Sequence, residues 1–208
     1  MIARTIPATV RGMIAAILLV LVAILYRVIL GVAGMHEMQW LHNFSPLAAI
    51  ALCGAIYFPR RIAIAAPLLA LFVSDLILNA HYLSTPHVQS LISVKMLPEY
   101  IALGFSAMLG WKLRANPRLG LMLGASLLGS VAFYVITNSG DWLAEPGYAK
   151  TAAGWVQALT TGLPGYPSTL SFFRNTVASD LVFTLLFVGC MAARRTEMAT
   201  AKLHPAAV

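Results

Sequence analysis

Charged residues are scarce in this chain, and so are cysteines and short catalytic motifs. Only 10% of the residues are charged, against about 25% in an ordinary soluble domain. The two cysteines are too few for a disulfide scaffold. The sequence has no G-x-S-x-G, P-loop, dinucleotide or H-E-x-x-H motif. We therefore expect no nucleotide, haem or zinc cofactor, and a membrane protein rather than a soluble one.

Apolar residues make up 60% of the 208 residues, and the mean hydropathy is +0.81. Long apolar runs of about 20 residues are typical of transmembrane helices. The sequence predicts an all-α membrane protein in which residues 1–208 form one integral domain with six transmembrane helices. The predicted spans are residues 12–31, 44–58, 62–79, 94–111, 119–138 and 172–193.

The basic residues predict the orientation of these spans. Ten of the 14 lysines and arginines fall at the ends that the two termini share, and four fall at the other side. Positive residues in short loops favour the cytoplasm. This distribution predicts that both termini are cytoplasmic. Because the net charge of +7 is spread over loops without a recognition motif, nucleic acid is not expected as a partner.

The third span ends in a polar stripe. Asp75, Asn79 and Tyr82 stand at i, i+4 and i+7 and therefore share one helix face. An ionisable residue inside a membrane indicates a functional site by default. The alternative is that Asp75 pairs with Arg27 or Arg174 and only holds the bundle together.

The fifth and sixth spans carry similar polar positions on the predicted outer side. Thr176, Asp180 and Thr184 follow one another at four-residue spacing after Arg174, and Asn138 lies near Trp142 at the end of the fifth span. These stripes favour a shared cavity. The alternatives are ordinary hydrogen bonds between helices and, for Trp142, a plain interfacial anchor.

Residues 139–171 are too many for a simple connection. Tyr148, Ala152, Trp155 and Leu159 recur at helical spacing and predict a short amphipathic helix. We interpret this outer segment as a cap or gate, with passive packing on lipid headgroups as the alternative. On the first span, Ala8, Gly12 and Ala16 form a small-residue row that suits close contact with another helix, although chance explains it equally well.

Three short phrases carry a family resemblance: Asn43-Phe44-Ser45-Pro46-Leu47-Ala48-Ala49, Ser74-Asp75-Leu76 and Phe173-Arg174-Asn175-Thr176. With six spans, they resemble the substrate-binding S-components of energy-coupling factor vitamin transporters, in particular the small cobalamin-specific group called BtuM. The resemblance implies a protein of the bacterial inner membrane that captures cobalamin from outside. It implies either a solitary protein or one with an energising module that meets the first helix.

The resemblance also implies a set of binding residues. A cysteine ligand to cobalt is expected near the end of the third span, where this chain has Ala80 followed by His81. Ligand-exchange chemistry at cobalt is therefore not expected here unless His81 substitutes. The remaining candidate binding residues are Asn43, Phe44, Asp75, Asn79, Tyr82, Asn138, Trp142, Arg174, Thr176 and Asp180.

Three alternatives to cobalamin uptake stay open at this point. The same architecture could carry another vitamin or a metal ion. The chain could instead be a structural or assembly subunit, or an intramembrane enzyme that uses Asp75 and Asp180 as a carboxylate pair.

Overall fold

The computed structural model describes residues 8–33, 43–83 and 90–203, which fold as helices without a β-strand. The side chains of residues 8–17, 19, 33 and 193–203 lie outside this description, and so does the predicted contact row of Ala8, Gly12 and Ala16. The elements are α1 (Ala8–Ala33), α2 (Leu47–Tyr57), α3 (Arg60–Tyr82), a 3₁₀ turn (Val94–Met96), α4 (Leu97–Leu113), α5 (Leu119–Ala144), α6 (Ala152–Leu159) and α7 (Thr169–Leu203).

Three segments are long and apolar enough to cross a membrane: Arg60–Tyr82, Leu119–Ala144 and Thr169–Ala192. Two shorter segments, Val20–Val32 and Leu47–Tyr57, are also strongly apolar. The protein is therefore membrane-embedded.

Helix boundaries differ from the predicted spans mainly at the polar ends. α2 begins at Leu47 rather than residue 44, because Asn43 adopts a left-handed φ of 61° and Pro46 directly precedes the helix. At the start of α4, Val94–Met96 form the 3₁₀ turn instead of α-helix. α5 continues to Ala144, six residues beyond its predicted end.

The central element is α2, in which ten consecutive residues from Leu47 to Ile56 are buried. A helix that is apolar all round belongs in a core, and α2 contacts α3, α4, α5 and α7. Its 11 residues give a length of about 16 Å, roughly half of the 30 Å hydrocarbon core. The longer helices around α2 therefore enclose space beyond one of its ends.

The segment after α5 contains the predicted short helix, but its limits are narrower. Tyr148 precedes α6 and is buried in the turn before it, whereas Thr151 caps the helix by accepting a hydrogen bond from the Gly154 amide at 3.2 Å. The Trp155 indole donates to the Ser139 hydroxyl at 2.8 Å, which fastens α6 to α5.

Candidate functional site

A cavity of about 680 Å³ that is partly open to its surroundings lies beyond the N-terminal end of α2. Its wall is formed by the C-terminal parts of α1, α3 and α5 and the N-terminal parts of α4 and α7. Counted with the short α2, the helices α1 to α5 and α7 therefore run in alternate directions, and the cavity lies at one end of the bundle. The α2–α3 and α4–α5 connections, with Arg60, Arg61, Arg114 and Arg118, belong to the opposite end.

The floor of the cavity is the start of α2 and the residues before it. Asn43, Phe44, Leu47 and Ala48 all line the floor. The Phe44 ring packs 5.7 Å from the ring of Phe183, which holds this segment against α7. The left-handed backbone at Asn43 and the short α2 together leave the volume above the floor open.

The α7 wall carries Thr176 and Asp180, as the four-residue spacing suggested for a shared cavity. Asp180 is only 2% exposed, and its Oδ2 accepts a hydrogen bond from the Ser130 hydroxyl at 2.6 Å. Thr184, one turn further, donates to the Ser126 hydroxyl at 3.2 Å and lies in the α5–α7 contact instead of the cavity.

On α5 the cavity face is Phe133, Thr137 and Asp141, with Asn138 at its edge. The Asn138 amide donates to the Tyr134 carbonyl at 2.8 Å, which leaves its side-chain oxygen for another donor. Trp142 is not on the wall. Its indole donates to the Ala149 carbonyl at 2.9 Å, in the covering segment.

A charged network joins three helices beside the cavity. Arg27 on α1 lies 2.8 Å from the Asp75 carboxylate on α3 and 3.1 Å from the Glu99 carboxylate on α4. Arg27 and Glu99 line the cavity, whereas Asp75 lies behind Arg27. Of the two roles open to Asp75, the structure shows the pairing with Arg27. Arg27 shares its single positive charge between two carboxylates, so the three ionised groups together carry one net negative charge.

The last turn of α3 points away from the cavity. Asn79 donates to the Leu91 carbonyl at 2.9 Å, and the Tyr82 hydroxyl donates to the Gly31 carbonyl at 2.7 Å. Ala80 and His81 are exposed and absent from the cavity wall, so neither stands where it could face a bound cobalt. Arg174 is likewise exposed and off the wall.

Residues 145–167, here called the cover, close part of the opening. The cover contributes Glu145, Tyr148, Leu163 and Tyr166 to the wall. Lys95 fixes its start through a 2.6 Å ion pair with Glu145. Burial, with the nearby negative charges of Asp141 and Glu145, raises the pKa of the Tyr148 phenol, which keeps this hydroxyl protonated.

The cavity wall contains five of the predicted binding residues, namely Asn43, Phe44, Asn138, Thr176 and Asp180. The prediction missed the other charged residues of the wall. Glu99 and Asp141 line the cavity but are not among the predicted binding residues. Asp141 could have been found, because Phe133, Thr137 and Asp141 also repeat at four-residue spacing. The described residues contain no group of three metal-binding side chains.

Comparison with curated proteins and with solved structures returned no match. A match was found at the level of protein families. Residues 8–203 match the model of DUF6580, a family of unknown function, and the chain belongs to that family.

Proposed function

We propose that this protein is the substrate-binding component of a membrane uptake system, similar to the S-components of energy-coupling factor transporters. One observation carries the proposal. A cavity of about 680 Å³ with polar and charged walls lies at one end of an otherwise apolar bundle. Its volume falls within the range of about 300–1,000 Å³ that is typical of small-molecule sites.

The proposed topology has six membrane crossings, by α1 to α5 and α7. The alternating helix directions support it, because they bring every connection with clustered arginines to one end of the bundle. Positive loops favour the cytoplasm. The cavity then faces the outside, and both termini are cytoplasmic.

The wall chemistry suits binding better than catalysis. The hydroxyls of Thr137 and Thr176 donate to carbonyls of their own helices and therefore offer acceptor oxygens to a polar solute. The amides of Asn43 and Asn138 also line the cavity, and an amide carries both a donor and an acceptor. The carboxylate-pair enzyme has little support, because Asp75 is held by Arg27 and lies outside the cavity that Asp180 lines.

Cobalamin is the first ligand to test, because the sequence resemblance points to it and its amide arms match the amides and hydroxyls of the wall. The described wall contains no cysteine, histidine or methionine. A bound corrinoid would therefore lack a soft protein ligand to cobalt, and we expect its spectrum to stay that of the free vitamin. Another vitamin of smaller size fits the same proposal.

The test is a titration of the purified protein in detergent by calorimetry, first with cobalamin and then with other water-soluble vitamins. We expect saturable binding near one to one. Asn138→Ala should weaken it, whereas Asn116→Ala, which removes the same amide at the opposite end of the bundle, should not. Absence of saturable binding for every vitamin and every other small solute tested, or equal effects of the two variants, would overturn the proposal.

A further inference from the structure

Negatively charged side chains outnumber positively charged ones in the cavity wall. The wall carries one arginine and four carboxylates, namely Arg27, Glu99, Asp141, Glu145 and Asp180. Arg27 is engaged by Asp75 and Glu99, and Glu145 is engaged by Lys95. Within the described part of the chain, Asp141 and Asp180 form no ion pair.

Asp180 is the more informative of these two carboxylates. It is 98% buried at the bottom of the α7 wall, and the only hydrogen bond it receives from the described residues comes from Ser130. The floor next to it is apolar, with Leu47 and Ala48 on the same cavity. A carboxylate inside a membrane is costly unless it is paired or faces water, so its position in the wall calls for a cationic partner.

Aromatic rings surround the same volume. The wall contains Phe44, Phe133, Tyr148, Tyr166 and Phe172. The faces of such rings attract organic cations. A metal ion would fit poorly, because the cavity is far larger than an ion and no group of three metal-binding side chains occurs among the described residues.

We infer that the molecule bound in this cavity is an organic cation whose charged nitrogen pairs with Asp180, with Asp141 nearer the opening as a second carboxylate on its path. This inference rests on the proposed binding function and adds the charge of the substrate to it. A neutral solute would leave Asp180 without a partner of opposite charge.

The test compares two pairs of probes that differ in charge but little in shape. Choline is paired with 3,3-dimethyl-1-butanol, and protonated 2-phenylethylamine is paired with 2-phenylethanol. Each is titrated at neutral pH into the full-length protein in detergent. We expect each cation to bind at least tenfold more tightly than its uncharged counterpart.

Asp180→Asn keeps the shape of the side chain and an acceptor for Ser130. It should weaken binding of the cations by at least about tenfold and leave the neutral probes unchanged. Glu197→Gln is the matched control, since it removes one negative charge from α7 about 26 Å further along the helix. If the Asp180→Asn protein is not monodisperse, Asp141→Asn is the second variant to test, and it should weaken binding of the cations at least threefold.

The outcomes separate this inference from the proposed function. The inference is wrong if the cations bind no more tightly than their uncharged counterparts. It is also wrong if neither aspartate variant changes the affinity for the cations. If cobalamin or another uncharged solute binds while the cations do not, the inference fails and the binding function stands. If no vitamin and no probe binds, both fail together.

Discussion

The packing of α2 against α4 at Gly110 gives a sharp prediction. A Cβ atom at this position would lie 2.2 Å from the Leu52 carbonyl oxygen and 2.8 Å from the Ala55 Cβ. Ordinary contacts begin at 3.4 Å, so the first distance is about 1.2 Å too short. Both obstacles belong to the buried central helix and cannot swing aside as the end of a long side chain can.

Gly110→Ala should therefore push α4 away from α2. Overpacking of this kind costs about 1–3 kcal/mol in the free energy of unfolding. Gly104→Ala is the matched control on the same helix, because a Cβ atom there meets nothing within 4 Å. Both variants gain the same helix propensity from alanine, so their difference isolates the packing term.

The assay is thermal unfolding in one detergent, followed by tryptophan fluorescence. For a chain of this size, we expect the Tm of Gly110→Ala to lie about 3–9 °C below that of Gly104→Ala. Equal Tm values for the two variants would refute the close approach of α2 and α4. Because α2 forms the floor of the cavity, Gly110→Ala should also weaken ligand binding.

Two further predictions concern the charged network and the cover. Arg27→Met leaves the carboxylates of Asp75 and Glu99 without their positive partner and should lower the free energy of unfolding by about 3 kcal/mol. Adding Asp75→Asn to this variant should restore part of the lost free energy. A double variant no more stable than Arg27→Met would argue against the pairing. Trp155→Phe removes the hydrogen bond to Ser139 and should speed tryptic cleavage after Lys150 in the cover without lowering Tm. Trp111→Phe, at the other end of the bundle, should leave that cleavage rate unchanged, and a similar effect of both variants would contradict the role of Trp155.

The helices were predictable because apolar runs and prolines mark them directly in the sequence. The predicted spans overlap α1 to α5 and α7 in order, and a short helix occurs in the segment expected to cap the outer side. The predicted helix boundaries were wrong where the local backbone conformation or the continuation of polar residues, and not hydropathy, sets the end of a helix. The left-handed turn at Asn43 delays the start of α2, and polar residues such as Ser139 and Asp141 continue α5 past its predicted end.

The cavity wall was harder to predict because neighbouring positions on a helix point about 100° apart. Tyr134, Asn138 and Trp142 follow the same spacing as Phe133, Thr137 and Asp141, and polarity alone does not say which set faces inward. The packing of α5 against α6 determines which set faces the cavity, because the Tyr134 hydroxyl donates a hydrogen bond to the Leu159 carbonyl in α6. The partner of Asp75 was one of two that the sequence left open, and the contact of α1 with α3 selected Arg27.

The short central helix also sets the depth of the cavity. Each residue added to the start of α2 in helical conformation would raise the floor by about 1.5 Å, while the surrounding helices could keep their contacts. The start of α2 therefore controls the volume of the cavity independently of the helices that form its wall. Pro46, which directly precedes α2, thereby fixes how much depth the cavity keeps for the proposed ligand.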